Sequence, residues 1–296
     1  MSCLGKIDCF APKPSASAME DVDLDEDLEA GDGSPASEPA SPLPAEPYLE
    51  PRESDALVAR EPRTLASWPR ASQSATSFAG APTAGNAEGK VAAGVADGLA
   101  GYIQAQGLKS PAVMGHSMGG TIAMMLAARS PSLVGKLMVV DMFPNLAVAY
   151  FGPGQSPEAV AQRAAGFRAQ ITDAPADAFK AMQEQVITGM VRTESARAAI
   201  VKHSLDSDRQ VSGRAMEELL TTDLTPELAK ITAPTTVVFA WNSSMPVPAA
   251  TFGGWYQGAY GPLKGAKVVR IDDAAHFVMI DQPAKFMAEV ETFLAG

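Results

Sequence analysis

The chain has 296 residues, 46% hydrophobic and 19% charged, enough for one ordinary domain with or without a tail. Its formal net charge of −11 argues against a partner held through nucleic-acid phosphates, and no apolar run approaches the roughly 18 residues of a membrane span. Two cysteines, Cys3 and Cys9, and three histidines exclude a disulfide scaffold, a cysteine-built zinc site and a His-rich metal centre.

In chain order, residues 1–76 come first, with 15 acidic and 6 basic residues and 10 of the 23 prolines. Met19 to Pro51 is acidic, rich in Pro, Ser and Ala, and nearly free of aromatic residues. Such a segment buries too little apolar surface to offset its chain entropy, so residues 1–76 are expected to be disordered. No apolar segment follows a basic start, which predicts a cytoplasmic protein without a secretory signal.

The character changes at Ser77, and residues 77–296 read as one α/β domain. Ala87 to Gln106 carries Val91, Val95, Leu99, Tyr102 and Ile103 at helical spacing and ends at Gly107. The run AVMG at 112–115 predicts a strand, followed by a Gly-rich turn and the apolar helix TIAMMLAAR. KLMVVD at 136–141, TTVVFA at 235–240 and AKVVRI at 266–271 predict three more buried strands. Between Leu146 and Thr222 the pattern is helical, for example at Pro157–Gln170, Ala176–Thr188 and Glu194–His203. Pro283 to Leu294 closes the chain as a helix. Strands alternating with helices predict a mostly parallel sheet.

The chemistry concentrates at Gly115-His116-Ser117-Met118-Gly119-Gly120, a G-x-S-x-G motif with a strand before it and a helix after it. So tight a turn strains the serine backbone and demands small neighbours, met by Gly115 and Gly119. It exposes the Ser117 hydroxyl at the carboxyl end of the sheet, above a helix N-terminus that favours developing negative charge. The Met118 amide is then an oxyanion donor. Of the histidines, His116 is expected to point away into the packing of the turn, and His203 to lie on a helix surface. His276 follows the fourth predicted strand and precedes the last helix, which places it over the same strand ends as the general base.

These features together resemble the α/β-hydrolase superfamily, through GHSMGG after a strand and DAAHFVMIDQPAKF before a terminal helix. LMVVDMFP, DLTPELAKITAPTTVVFAW and FAGAPTAGNAEG are similar to its esterase and lipase-like members, and the resemblance runs from Phe78 to Gly296. It implies a serine ester hydrolase acting on a small-molecule ester, with a helical cap at about residues 145–225 and neither metal nor organic cofactor. Met182, Met190, Phe167 and Phe179 in that cap either meet an apolar acyl or alkyl group or simply pack the helices.

The chain departs from the pattern twice. The family usually places the acid that orients the histidine just after the strand TTVVFA, where Asn242 stands instead. Two residues can answer: Asp141, at the end of the preceding strand as in some family members and the best available acid, or Asn242 as a weak substitute; failing both, the triad is incomplete. Asp272 and Asp273 are too close to His276 along one loop. The second departure is that residues 1–76 contain neither the family's early strands nor the His-Gly or Gly-rich loop that gives the second oxyanion hydrogen bond. The expectation is that residues 1–76 are not the family's usual N-terminus, and that an exposed elbow strand would favour self-association. Against ester hydrolysis stand an impaired or inactive hydrolase-like protein serving as a binding module, and the same fold running acyl transfer or a cofactor-free lyase reaction.

Overall fold

The computed structural model describes residues 90–295. The expected disordered segment 1–76 and the domain start at Ser77 lie outside the described residues. The chain runs through α1 (Val91–Ala105), β1 (Ala112–His116), α2 (Met118–Arg129), β2 (Lys136–Val140) and α3 (Leu146–Phe151). It continues through α4 (Pro157–Thr172), α5 (Ala176–Met190), α6 (Glu194–Asp206), α7 (Arg209–Thr221) and β3 (Thr235–Trp241). Last come α8 (Ala249–Ala259), β4 (Lys267–Asp272), α9 (Val278–Asp281) and α10 (Pro283–Ala295).

The four strands form a parallel sheet in the order β1-β2-β3-β4. β2 and β3 are central and read as continuous apolar runs, because helices cover both faces of such a sheet. Leu137, Met138, Val139, Val140, Val237 and Val238 have no exposed surface, and each such burial is worth roughly 1.5–3 kcal/mol. The outer strands are less covered: Met114 in β1 is 44% exposed. Among the described residues β1 pairs only with β2, so the strand that leads into the elbow is an edge.

Parallel strands in register bring their carboxyl ends to one rim. Gly115 stands beside Val139, and Val139 beside Val237. The residues that follow β1, β2, β3 and β4 therefore emerge side by side. α2 runs back beneath the sheet and is buried from Gly120 to Ala128. The interval between β2 and β3 carries helices and no strand, at the residues where the cap was expected, and α4 packs along α7. Glu218 of α7 is 6% exposed and accepts hydrogen bonds from the Ala92 and Ala93 amides at 2.8 and 3.0 Å. Its carboxylate thus satisfies two orphan donors at the start of α1, whose own preceding residue gives no side-chain cap.

Candidate active site

Ser117 follows β1 directly and has φ 54°, ψ −124°, the strained backbone expected of a strand-to-helix elbow. Gly115 is required there: a Cβ on it would lie 2.0 Å from the Gly119 carbonyl oxygen. The second required glycine differs from expectation. A Cβ on Gly119 would meet nothing within 4 Å, whereas one on Gly120 would stand 3.0 Å from Val139 Cγ1 and 3.1 Å from Met142 Cβ. The crowding comes from the side of α2 that lies on β2, and Gly120 occupies that side. Met118 is the first residue of α2, and the first amides of a helix have no intrahelical acceptor.

Asp141 follows β2 and turns at φ 48°. That turn sends its carboxylate back over the strand ends. Oδ1 accepts from the Ala240 amide at 3.0 Å and the Tyr256 hydroxyl at 3.1 Å. Oδ2 lies 2.7 Å from His276 Nδ1. Burial alone would raise this carboxyl's pKa; the hydrogen bond and charge of His276, with the Ala240 amide, outweigh it and hold Asp141 below its ordinary value. A carboxylate on Nδ1 fixes the tautomer with Nδ1–H, leaving Nε2 as an acceptor. Asp141 and His276, 135 positions apart in sequence, are therefore in direct contact.

Asn242 is placed otherwise. It is 7% exposed, its amide donates to the Ala274 carbonyl at 3.0 Å, and its Oδ1 accepts from the Ser244 amide at 3.1 Å. Of the two alternatives open in the sequence, it is Asp141 that stands beside the His276 ring, while Asn242 ties down the loop leading to it. Asp272 pairs with Arg270, and Asp273 with Lys285.

His116 points into the packing, as expected, and against a specific neighbour. Its Nε2–H donates to the His276 carbonyl at 2.8 Å, and the two rings lie 4.5 Å apart. Burial, followed by the charge of His276, lowers its pKa to about 4. It is thus a neutral donor at physiological pH. His203 is exposed in the last turn of α6.

Two further residues hold the site and were not legible in the sequence. Tyr256 of α8 is 2% exposed and stacks on Phe239 at 4.3 Å. Burial, then the Asp141 charge, pushes its pKa well above the ordinary tyrosine value, so it remains a proton donor to Asp141. Asp281 accepts from the Ala275 amide at 2.9 Å, and from the Arg192 and Thr193 amides at 3.0 and 2.9 Å. It joins the turn after α5 to the loop that carries His276.

Ser117, Asp141 and His276 line one cavity of about 890 Å³. Of the four apolar residues expected in the cap, Phe167 and Met190 line it. Phe179 is buried instead, with the Arg209 guanidinium 4.4 Å over its ring, and Met182 lies outside the lining. Among the described residues, no group of three or more His, Cys, Asp or Glu side chains is arranged to hold a metal ion. None of the described helices is long and apolar enough to cross a membrane.

A family model described as the alpha/beta hydrolase family matches residues 76–290. The pimeloyl-(acyl-carrier protein) methyl ester esterase of Neisseria meningitidis is 28% identical over 210 residues, covering 69% of this chain and 75% of that one. The sn-1-specific diacylglycerol lipase of Danio rerio is 25% identical over 187 residues, covering 62% of this chain. The chain spans 56% of that lipase's length. Among solved structures, a thermophilic esterase from Thermogutta terrifontis matches with TM-score 0.55 and 19% identity, over 69% of this chain and 72% of that one. Est816, an N-acyl homoserine lactone degrading enzyme, matches with TM-score 0.55 and 21% identity, over 73% and 79%. At these identities the structural matches speak to the fold alone.

Proposed function

Since the chain belongs to the alpha/beta hydrolase family, we propose that it cleaves a carboxylic ester through an acyl-enzyme at Ser117. The observation that carries this reading is the 2.7 Å contact between His276 Nδ1 and Asp141 Oδ2, on the wall of the cavity that Ser117 also lines. The relatives in sequence are named as an esterase and a lipase, which supports ester hydrolysis as the reaction class.

Ser117 Oγ attacks the ester carbonyl while His276 Nε2 takes the hydroxyl proton. The carbonyl oxygen becomes an oxyanion facing the Met118 amide and the start of α2. Asp141 holds the imidazole in its tautomer and stabilises the imidazolium without taking the proton itself. The tetrahedral intermediate collapses, the ester C–O bond breaks, and the alcohol leaves with the proton from His276. Water then gives a proton to His276 and attacks the acyl group, releasing the acid and restoring Ser117. Helices α3 to α7 act as the cap of the cavity.

Labelling with a fluorophosphonate probe tests the reading, with turnover of short p-nitrophenyl esters beside it. Labelling and turnover that both vanish in Ser117→Ala are the expected result. A folded, monodisperse protein that neither labels nor turns over would make it a binding module instead. Ester consumption that yields a transferred acyl group or an eliminated product, rather than free acid, would replace hydrolysis by acyl transfer or lyase chemistry.

A further inference from the structure

The cavity is positive within a nearly neutral domain. Residues 90–295 hold 17 Lys and Arg against 18 Asp and Glu, yet the cavity is lined by three arginines, Arg163, Arg192 and Arg197, and by one carboxylate, Asp141. Asp141 is fully engaged by His276, Tyr256 and the Ala240 amide. Arg197 is also engaged: it donates to the Val191 and Arg192 carbonyls and pairs with Glu194. The guanidinium groups of Arg163 and Arg192 have no carboxylate partner among the described residues.

Each of the two is delivered to the cavity by local structure. On α4, Arg163, Gly166, Phe167 and Gln170 all line the cavity, at the i, i+3, i+4, i+7 spacing of one helix face. A cation and an amide thus occupy the face that an ordinary packed helix would fill with apolar side chains. The Arg163 guanidinium sits 5.3 Å over the Phe151 ring, an arrangement that orients a planar fork and leaves its edge N–H groups available. Arg192 has its backbone amide clamped by Asp281, whose other oxygen holds the Ala275 amide next to His276. Phe277, next to His276 on its other side, donates its amide to the Met190 carbonyl at 3.2 Å. Both arginines are exposed residues, so they stand at the mouth of the cavity rather than on its floor. The remaining wall is largely aromatic and aliphatic, through Phe143, Tyr150, Phe167, Phe252 and Leu146.

From this we infer that the cavity takes an ester whose non-reacting end carries an anion, a carboxylate or a phosphate, held by Arg163 and Arg192 at the mouth. The inference rests on the hydrolase reading for the position of the reacting ester, and on the charge layout for the rest. A hydrocarbon spacer lies along the aromatic wall while the guanidinium forks bind the anion through charge-assisted hydrogen bonds. The same charges attract anionic substrates toward the mouth, an effect that salt weakens.

The test compares monomethyl and dimethyl esters of linear dicarboxylic acids of four to ten carbons, with wild type, Arg163→Gln, Arg192→Gln and the double variant. The monoester is expected to be preferred at one or more lengths. In the double variant its KM rises by about tenfold while diester turnover and fluorophosphonate labelling persist, since a charge-assisted pair is worth about 1.5 kcal/mol or more. Inhibition by the free diacid against inorganic phosphate separates the two anions. Diesters cleaved as well as monoesters at every length, or a monoester preference that survives the double variant, would overturn the inference. Calorimetric binding of the diacid monoesters to Ser117→Ala needs no turnover. Binding that the double arginine variant abolishes, in a protein that neither labels nor hydrolyses, would sink the hydrolase reading and leave the anion site standing. No binding at any chain length would sink the anion site.

Discussion

The sheet and the helical insertion between β2 and β3 solve different problems with different degrees of order. At the sheet's carboxyl rim Asp141 and His276 are over-determined. Asp141 has three hydrogen-bond partners, and His276 is held through its ring by Asp141 and through its carbonyl by His116. In the insertion, α6 buries no residue at all, and α4 buries only Ala164. On the proposed reading, the chemistry sits where the backbone has no alternative, and the selectivity sits on helices, α4 above all, that bury little of their surface. A site on rigid elements keeps sub-ångström geometry, whereas a lightly buried helix can exchange its cavity-facing residues at little cost to the fold.

The largest effects should come from the rim. Asp141→Asn leaves an amide beside His276 that permits the wrong tautomer, so kcat should fall by about four orders of magnitude with KM little changed. Single-turnover acylation measures it; retention of a tenth of the activity would show that His276 does not depend on this carboxylate. Next in size is the elbow itself. Gly115→Ala forces a Cβ to within 2.0 Å of the Gly119 carbonyl oxygen, and the backbone must shift, which should cost upward of about 3 kcal/mol or abolish soluble protein. Gly119→Ala meets open space and lies inside a helix, where alanine should be neutral or stabilise by up to about 1 kcal/mol. Denaturant melts of the pair decide it. Equal losses would mean that the motif's second glycine is required for a reason other than space.

The same contrast explains what could be read from the sequence. All four strands were legible, because strands buried on both faces become unbroken apolar runs such as LMVV and TVVFA. The elbow and the loop position of His276 followed from their order relative to those strands. Asp141 was the best available acid, as a carboxylate that keeps the order Ser, Asp, His, but Asn242 stayed open, since both follow a strand and the outcome depends on a left-handed turn at Asp141 and on where Asn242 finds its partners. Helix α8 was not visible at all. Its sequence AATFGGWYQGA carries three glycines and several aromatic residues, a poor intrinsic helix former, and tertiary stacking of Phe252 and Tyr256 on Phe239 overrides that propensity. Tyr256 was hidden with it. Asp281, Arg163 and Arg192 were invisible for a related reason: a lone charge in sequence carries no record of what it faces.

Tyr256→Phe probes how far the rim's redundancy extends. The aromatic stack is kept and only the hydroxyl on Asp141 Oδ1 is lost. A hydrogen bond of this kind is worth on the order of 1 kcal/mol, so kcat should fall about five- to tenfold with KM unchanged. A purely structural role for the hydroxyl would lower stability and leave kcat unchanged.

The two remaining histidines give the comparison its finest test. His116 is packed against His276 and its pKa is lowered to about 4 from 6.5. Between those values the unfolded chain binds a proton that the folded chain refuses. Stability should therefore be at its full value above pH 6.5, decline as the pH falls toward 4, and level off below it, a loss of up to about 3 kcal/mol from this one group. Gln can still donate to the His276 carbonyl, so His116→Gln should flatten that slope without removing the contact. His203, exposed at the end of α6, should be replaceable by Gln with a change in stability within about 0.5 kcal/mol. Urea melts of both variants at pH 7 and pH 5 measure the difference. A slope that survives His116→Gln would mean that acid sensitivity arises elsewhere at the rim, and a large loss in His203→Gln would mean that the insertion is as tightly determined as the sheet.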